Sequence, residues 1–226
     1  MRCVAGGMDA LCVHMVEPSP TLTKAQQNSL KDTPCNVTWH TDLATVPQGP
    51  VIFLANEFLD ALPIRQYIRS DGGWYERVVT LSGDQFVFGL GERVDDSVIP
   101  EKFRAASDGS IYEDAPIVQV AVQNIAHRVA SDGGAALIVD YGYAENVLGE
   151  TLQALSKHAY ADPLDCPGEN DLTAHVNFAD VKVGAEAAGA RVWGPIEQGT
   201  LLERLGIAAR AASLLANATK DQAQDI

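Results

Sequence analysis

Positive charge is scarce in this chain. Its 226 residues carry 16 Lys and Arg against 30 Asp and Glu, a formal net charge of −14. Phosphate binding needs clustered cations, so the composition argues against a nucleic-acid partner. The acidic excess suits solubility and is compatible with a basic protein substrate. Cysteine is sparse too: Cys3, Cys12, Cys35 and Cys166, no two at a CxxC spacing. That excludes the common zinc and thioredoxin-like arrangements and fits a reducing compartment. No apolar run approaches the roughly 18 residues of a membrane span, so no membrane insertion is expected. Met1 to Leu11 has neither the apolar core of a secretory signal nor the Arg- and Ser-rich pattern of a transit peptide. The sequence holds no GxSxG elbow and no Walker A lysine loop, which argues against serine hydrolases and P-loop enzymes. It also lacks a glycine-rich turn after a strand, which counts against a nicotinamide dehydrogenase.

What the sequence does have is a series of short, mostly apolar runs. Ala10–Val16, Val37–His40, Val51–Ala55 and Ala135–Asp140 read as strands buried on both faces, as in parallel sheets. Helices are expected over Pro20–Lys31, capped by Ser19 with proline at the first helical position, and over Pro116–Val129, ended by Gly133-Gly134. Arg65–Val79 around Asp71-Gly72-Gly73 reads as a hairpin, Gln85–Leu90 as a strand, and Asp95–Asp114 as a loop or lid. Further along, Asp171–Thr173 would cap a helix through Val183, which could instead follow a short extended piece at His175–Phe178, with Ala190–Trp193 a strand and Thr200–Leu215 a helix. The grammar is α/β: one domain over 1–226 with an inserted hairpin or lid region around 64–115.

Ligands of open α/β sheets bind beyond the carboxyl ends of the strands, so the polar residues just past each run are the candidates. Glu17 could accept two hydrogen bonds from the vicinal hydroxyls of a ribose, or could be an acid favoured by a helix N-terminus. Asp42 follows the next strand, where a purine would lie. Asn56, Glu57 and Asp60 leave the third strand. Their carboxylates could clamp a guanidinium; alternatively Asn56 caps a helix with Glu57 in its first turn. Asp140 and Tyr141 end the fourth strand, and His175 lies in a segment that could form a substrate wall.

Long stretches resemble one family. VEPSP at 16–20, LANEFLDALPIRQY at 54–67, VDYGY at 139–143, DPLDCPGENDLTAHVNF at 162–178 and GPIEQGTLLERLGI at 194–207 are similar to the MidA family. This family includes the mitochondrial complex I assembly methyltransferase and bacterial relatives. The resemblance implies a class I, Rossmann-like fold, a mostly parallel sheet with family-specific insertions, and S-adenosyl-L-methionine as cofactor, with no metal. It implies methyl transfer to a protein arginine, with a complex I subunit as the substrate in mitochondrial relatives. Glu17, Asp42 and Asn56 would bind the cofactor. Asn56, Glu57 and Asp60 would be catalytic, and Asp140, Tyr141 and His175 would face the substrate. The first strand and glycine-rich loop of such enzymes are absent from this sequence, so an N-terminally truncated chain is expected; Gly6-Gly7 is not that loop. The competing expectation is a non-catalytic assembly or binding module. A bacterial chain would be cytoplasmic, a eukaryotic one mitochondrial.

Overall fold

The computed structural model describes residues 11–157, 159–219 and 222–224. Ala10, read from sequence as a strand start, lies outside them, as do Cys3, Gly6-Gly7 and part of the C-terminal tail. The described residues group into two compact units, one up to Pro50 and one from Val51.

The first unit holds β1 (Cys12–Val16), α1 (Pro20–Leu30) and β2 (Asn36–His40). β1 and β2 pair in parallel, with Met15 opposite Trp39 and Val16 opposite His40. Pro18 and Pro20 stop the strand and preset the helix, and the Ser19 hydroxyl accepts from the Leu22 amide at 3.3 Å, as the sequence indicated.

The second unit opens with β3 (Val51–Asn56), β4 (Arg65–Ser70), β5 (Gly73–Ser82), β6 (Gln85–Val94) and β7 (Ile111–Asp114). Then come α2 (Pro116–Asp132), β8 (Gly134–Val139), β9 (Gly142–Tyr143), β10 (Gln153–Ser156), β11 (Ala159–Ala161), β12 (Asp171–Thr173) and β13 (Val176–Asn177). Three helices follow: α3 (Phe178–Ala187), α4 (Gln198–Arg204) and α5 (Ile207–Leu215). β3 and β8 pair in parallel from Val51 opposite Gly134 to Asn56 opposite Val139. β9 and β13 form a second parallel pair.

The mostly parallel sheet expected from sequence is realised differently among the described residues. Parallel pairing occurs in separate two-stranded sheets, and the largest sheet, ordered β6-β5-β4-β7, is antiparallel. The turns dictate this. Asp71-Gly72 and Gly83-Asp84 are two-residue connections with Asp71, Gly72 and Gly83 at positive φ, which return the chain directly alongside itself. β7, within the stretch expected to be a loop, completes the sheet against β4.

Two cores form. Leu59, Val118, Val122, Val176 and Val181 pack where α2 and α3 meet the parallel strands. Tyr67, Trp74, Ile99 and Tyr112 pack on the antiparallel sheet, with Tyr67 and Tyr112 stacked at 6.2 Å between ring centroids. Three other expectations are corrected. Ala190–Trp193 is not a strand: among the described residues no strand pairs with it, and Trp193 is 79% exposed. The helix over Thr200–Leu215 is two helices, broken at Gly206, whose φ of 85° is left-handed. α3 starts at Phe178 and is capped by Asn177, not by Asp171–Thr173, which pair as β12 instead.

Candidate functional site

The site in the second unit is built at the carboxyl ends of β3 and β8. Asn56 and Glu57 leave β3 with exposed side chains, and Glu57 sits at φ 46°, its amide donating to the Val139 carbonyl at 2.8 Å. No helix starts here. The left-handed Glu57 turns the chain, and a tight turn closes with Leu62 N donating to Leu59 O at 3.2 Å, so the helix-cap reading of Asn56 fails.

That turn carries Asp60 into the interior, where it is 5% exposed. The end of β8 fixes it there. Asp140 Oδ2 accepts from the amides of Leu59 at 3.0 Å and Asp60 at 3.3 Å, while its Oδ1 accepts from the Tyr141 amide at 3.0 Å. One carboxylate therefore ties together two loops separated by some eighty residues. Burial raises the Asp140 carboxyl above its ordinary value, and the Asp60 charge adds to this, against the three amide donors. Burial, and then the hydrogen bond to Asp60, pushes the Tyr141 phenol up to about 12. Asp60 keeps one buried oxygen, Oδ1, with no hydrogen-bond partner among the described residues. An unmatched buried carboxylate oxygen is costly unless a donor arrives.

β13 brings up the third wall. Ala174 N donates to Asp60 O and Val176 N to Tyr141 O, each at 3.0 Å. His175 between them lies edge-on to Tyr141, with ring centroids 5.6 Å apart. Gly142 makes this approach possible, because a Cβ there would collide with the Val176 backbone. Gly142→Ala is therefore expected to destabilise the protein by about 1–3 kcal/mol, as overpacking does. It should also speed hydrogen exchange at the Val176 amide; unchanged exchange there would contradict the close-approach argument.

Behind His175 runs a polar chain that sequence reading missed. The His175 amide donates to Thr151 Oγ1 at 2.9 Å, and that hydroxyl donates to buried Glu113. Glu113 also accepts from Gln66 Nε2 at 2.7 Å and from the Thr151 amide at 2.9 Å; Arg77 then donates to Gln66 Oε1 at 3.0 Å. Of the missed residues only Asn177 had a local signal, an Asn ahead of an acid three residues on, as at a helix start; Asp180 Oδ2 accepts from its amide at 2.7 Å.

Burial also raises the carboxyls of Asp114 and Asp180 above their ordinary value, as it does Asp140. A folded-state pKa above the unfolded one means the folded form binds the proton more tightly. Stability is then highest at low pH and is lost as pH rises through the raised value. The contribution of these acids to unfolding free energy should decline upward from about pH 4 and level off once the raised values are passed. Asp180→Asn should flatten that decline, measured as denaturant midpoints against pH; an unchanged slope would contradict it.

The first unit has its own candidate. Glu17, past β1, accepts from Ser19 N at 2.9 Å and from Gln26 Nε2 at 3.2 Å. Asp42 caps a short 3-10 turn, Leu43–Thr45, accepting from Ala44 N at 2.8 Å through one oxygen. The structure thus brings Asp60, Asp140, Tyr141 and His175 together and leaves Asn56 and Glu57 exposed at the strand end. Among the described residues no group of three or more His, Cys, Asp or Glu side chains could hold a metal.

A family profile described as "Putative S-adenosyl-L-methionine-dependent methyltransferase" matches residues 3–196. The chain belongs to this family, the MidA family of methyltransferases. Within it, the chain is 32% identical to the mitochondrial protein arginine methyltransferase NDUFAF7 of Danio rerio, over 93% of this chain and 54% of that one. An uncharacterised Burkholderia thailandensis protein of known structure superposes with a TM-score of 0.76 at 25% identity, covering 93% of this chain and 58% of that one. A second structure from that organism, a "likely methyl transferase" bound to S-adenosyl-homocysteine, gives 0.74 at 23% identity over 93% and 56% and shows the shared fold. The chain spans about half the length of the curated MidA relatives it matches.

Proposed function

We propose that this chain carries the acceptor site of an S-adenosyl-L-methionine-dependent methyltransferase acting on protein arginine. The observation that carries the reading is the buried, unpartnered Asp60 oxygen beside Asp140 and Tyr141. A guanidinium presents N–H donors on a planar, permanently charged group, which is what a carboxylate with a free buried oxygen accepts. When bound, the cofactor supplies a sulfonium methyl group. Asp60 would orient the guanidinium by accepting one N–H and would take the proton that the nitrogen loses as its new C–N bond forms. Glu57 at the exposed mouth would add negative charge, and Tyr141 and His175 would form the wall that excludes water. In the first unit, Glu17 would accept from the ribose hydroxyls and Asp42 would face the base. Asn56 remains a cofactor-side candidate at the end of β3.

The finer fold reading belongs to the same proposal. Among the described residues β3 pairs on one side alone, and Ile52 and Leu54 are 75% and 71% exposed. Both support a further strand along the free edge of β3. Curated relatives named mitochondrial protein arginine methyltransferases support arginine as acceptor, and a mitochondrial setting if the chain is eukaryotic. A complex I subunit as substrate and a cytoplasmic setting in bacteria rest on the family resemblance. No helix among the described residues is long and apolar enough to cross a membrane. The alternative reading drawn from the sequence is a non-catalytic assembly or binding module. Incubation with methyl-labelled cofactor and an arginine-rich protein, followed by hydrolysis, decides between them. Labelled methylarginine supports the enzyme; label on lysine overturns the arginine assignment; no label favours the module.

A further inference from the structure

Glu17 does not stand alone. Its Oε1 accepts from the Ser19 amide, and its Oε2 accepts from Gln26 Nε2 at 3.2 Å. The other end of that amide, Gln26 Oε1, accepts from Trp39 Nε1 at 2.9 Å. An indole N–H only donates, so the amide has one permitted orientation: its oxygen faces Trp39 and its NH₂ faces Glu17. The link spans α1 and β2, since Gln26 lies in the middle of the helix and Trp39 is opposite Met15 on the paired strand. All three side chains are partly buried.

We propose that Gln26 and Trp39 are positioning residues that hold the Glu17 carboxylate for a vicinal diol, and so set a preference for ribose over deoxyribose in the ligand. This rests on the reading of Glu17 as the ribose acceptor. The carboxylate has about four lone-pair sites, and one neutral donor on each oxygen uses two of them. Among the described residues one site per oxygen stays open, which matches two adjacent hydroxyl donors. An amide donor serves this purpose better than a lysine or arginine would. It fixes the rotamer without adding a cation that would compete for the open sites. Without the Trp39 N–H, the Gln26 side chain loses its second anchor and is free to swing away from the carboxylate.

The experiment is calorimetric titration of the full chain with S-adenosylhomocysteine and with its 2′-deoxyribose analogue. Wild type should prefer the ribose ligand by about tenfold, in line with one hydrogen bond to a charged group. Gln26→Leu should weaken the ribose ligand about tenfold and leave the analogue within about twofold, so that the preference collapses. Trp39→Phe keeps the aromatic bulk, removes the N–H and should shift the preference the same way; it decides the matter if the leucine variant does not fold. Equal weakening of both ligands would mean a merely structural bridge and would overturn the proposal. Tight wild-type binding of both ligands without discrimination would overturn the Glu17 reading itself, and the proposal with it.

Discussion

Asp60→Ala is expected to lower the rate of methyl transfer by about a hundredfold to a thousandfold, the usual cost of losing a group that polarises or deprotonates the reacting atom. Cofactor affinity should change by less than about twofold, because the roles assigned to the cofactor fall on other residues. The contrast follows from the geometry. Asp60 is buried, has one oxygen without a partner, and is anchored through its backbone by Asp140 and Ala174. Removing the side chain leaves those backbone bonds in place, so the loop should keep its path while the acceptor loses its partner. Glu57→Ala should give the same pattern with a smaller rate loss, since its side chain is exposed and its charge is screened by solvent. Steady-state rates with S-adenosylhomocysteine inhibition constants would separate the two parameters. A parallel loss of rate and affinity would place Asp60 in the cofactor pocket; full activity would remove it from catalysis.

The largest effect on stability should come from Trp74→Ala, at about 3–5 kcal/mol. Trp74 has 0% exposure and sits among Tyr67, Ile99 and Tyr112, with Val94 and Phe103 against the cluster. Its indole N–H reaches the Arg104 carbonyl at 3.4 Å, and the Arg69 guanidinium lies 5.9 Å from its ring centroid. Folded domains are stable by only about 5–15 kcal/mol, so this one truncation should remove a large share. The loss reaches the site as well, because β4 and β7 carry Gln66 and Glu113, and through Thr151 they hold the His175 backbone. Urea unfolding of the variant would check this, and a shift below about 1 kcal/mol would mean the ring is not the keystone of that core.

Much of this was legible because it was local. Ser19-Pro20 announced α1, and Asp71-Gly72 announced the β4–β5 hairpin. The acids after apolar runs made Glu17, Asp60 and Asp140 candidates, and the structure places each of them past a strand end. What sequence could not give depended on distant pairing. Ile111–Asp114 is only four residues long and looks polar; it becomes a strand because β4 offers an edge and Glu113 finds donors on Gln66, Thr151 and Leu152. Ala190–Trp193 had the apolar content of a strand but joins no sheet edge among the described residues. At Asn56 the helix-start pattern lost to a left-handed Glu57, whose turn is closed by bonds from β8 that local sequence does not show. Gln26 and Trp39 are thirteen residues apart, and only the parallel register of β1 and β2 with α1 brings their side chains together.

The central proposal is that this chain serves methyl transfer from S-adenosylmethionine, and titration of S-adenosylhomocysteine into the full 226-residue chain tests it most directly. The account predicts saturable one-to-one binding in the micromolar range, about −8 kcal/mol. No binding heat from a sample shown to be folded would contradict it and leave the non-catalytic assembly module as the function to pursue.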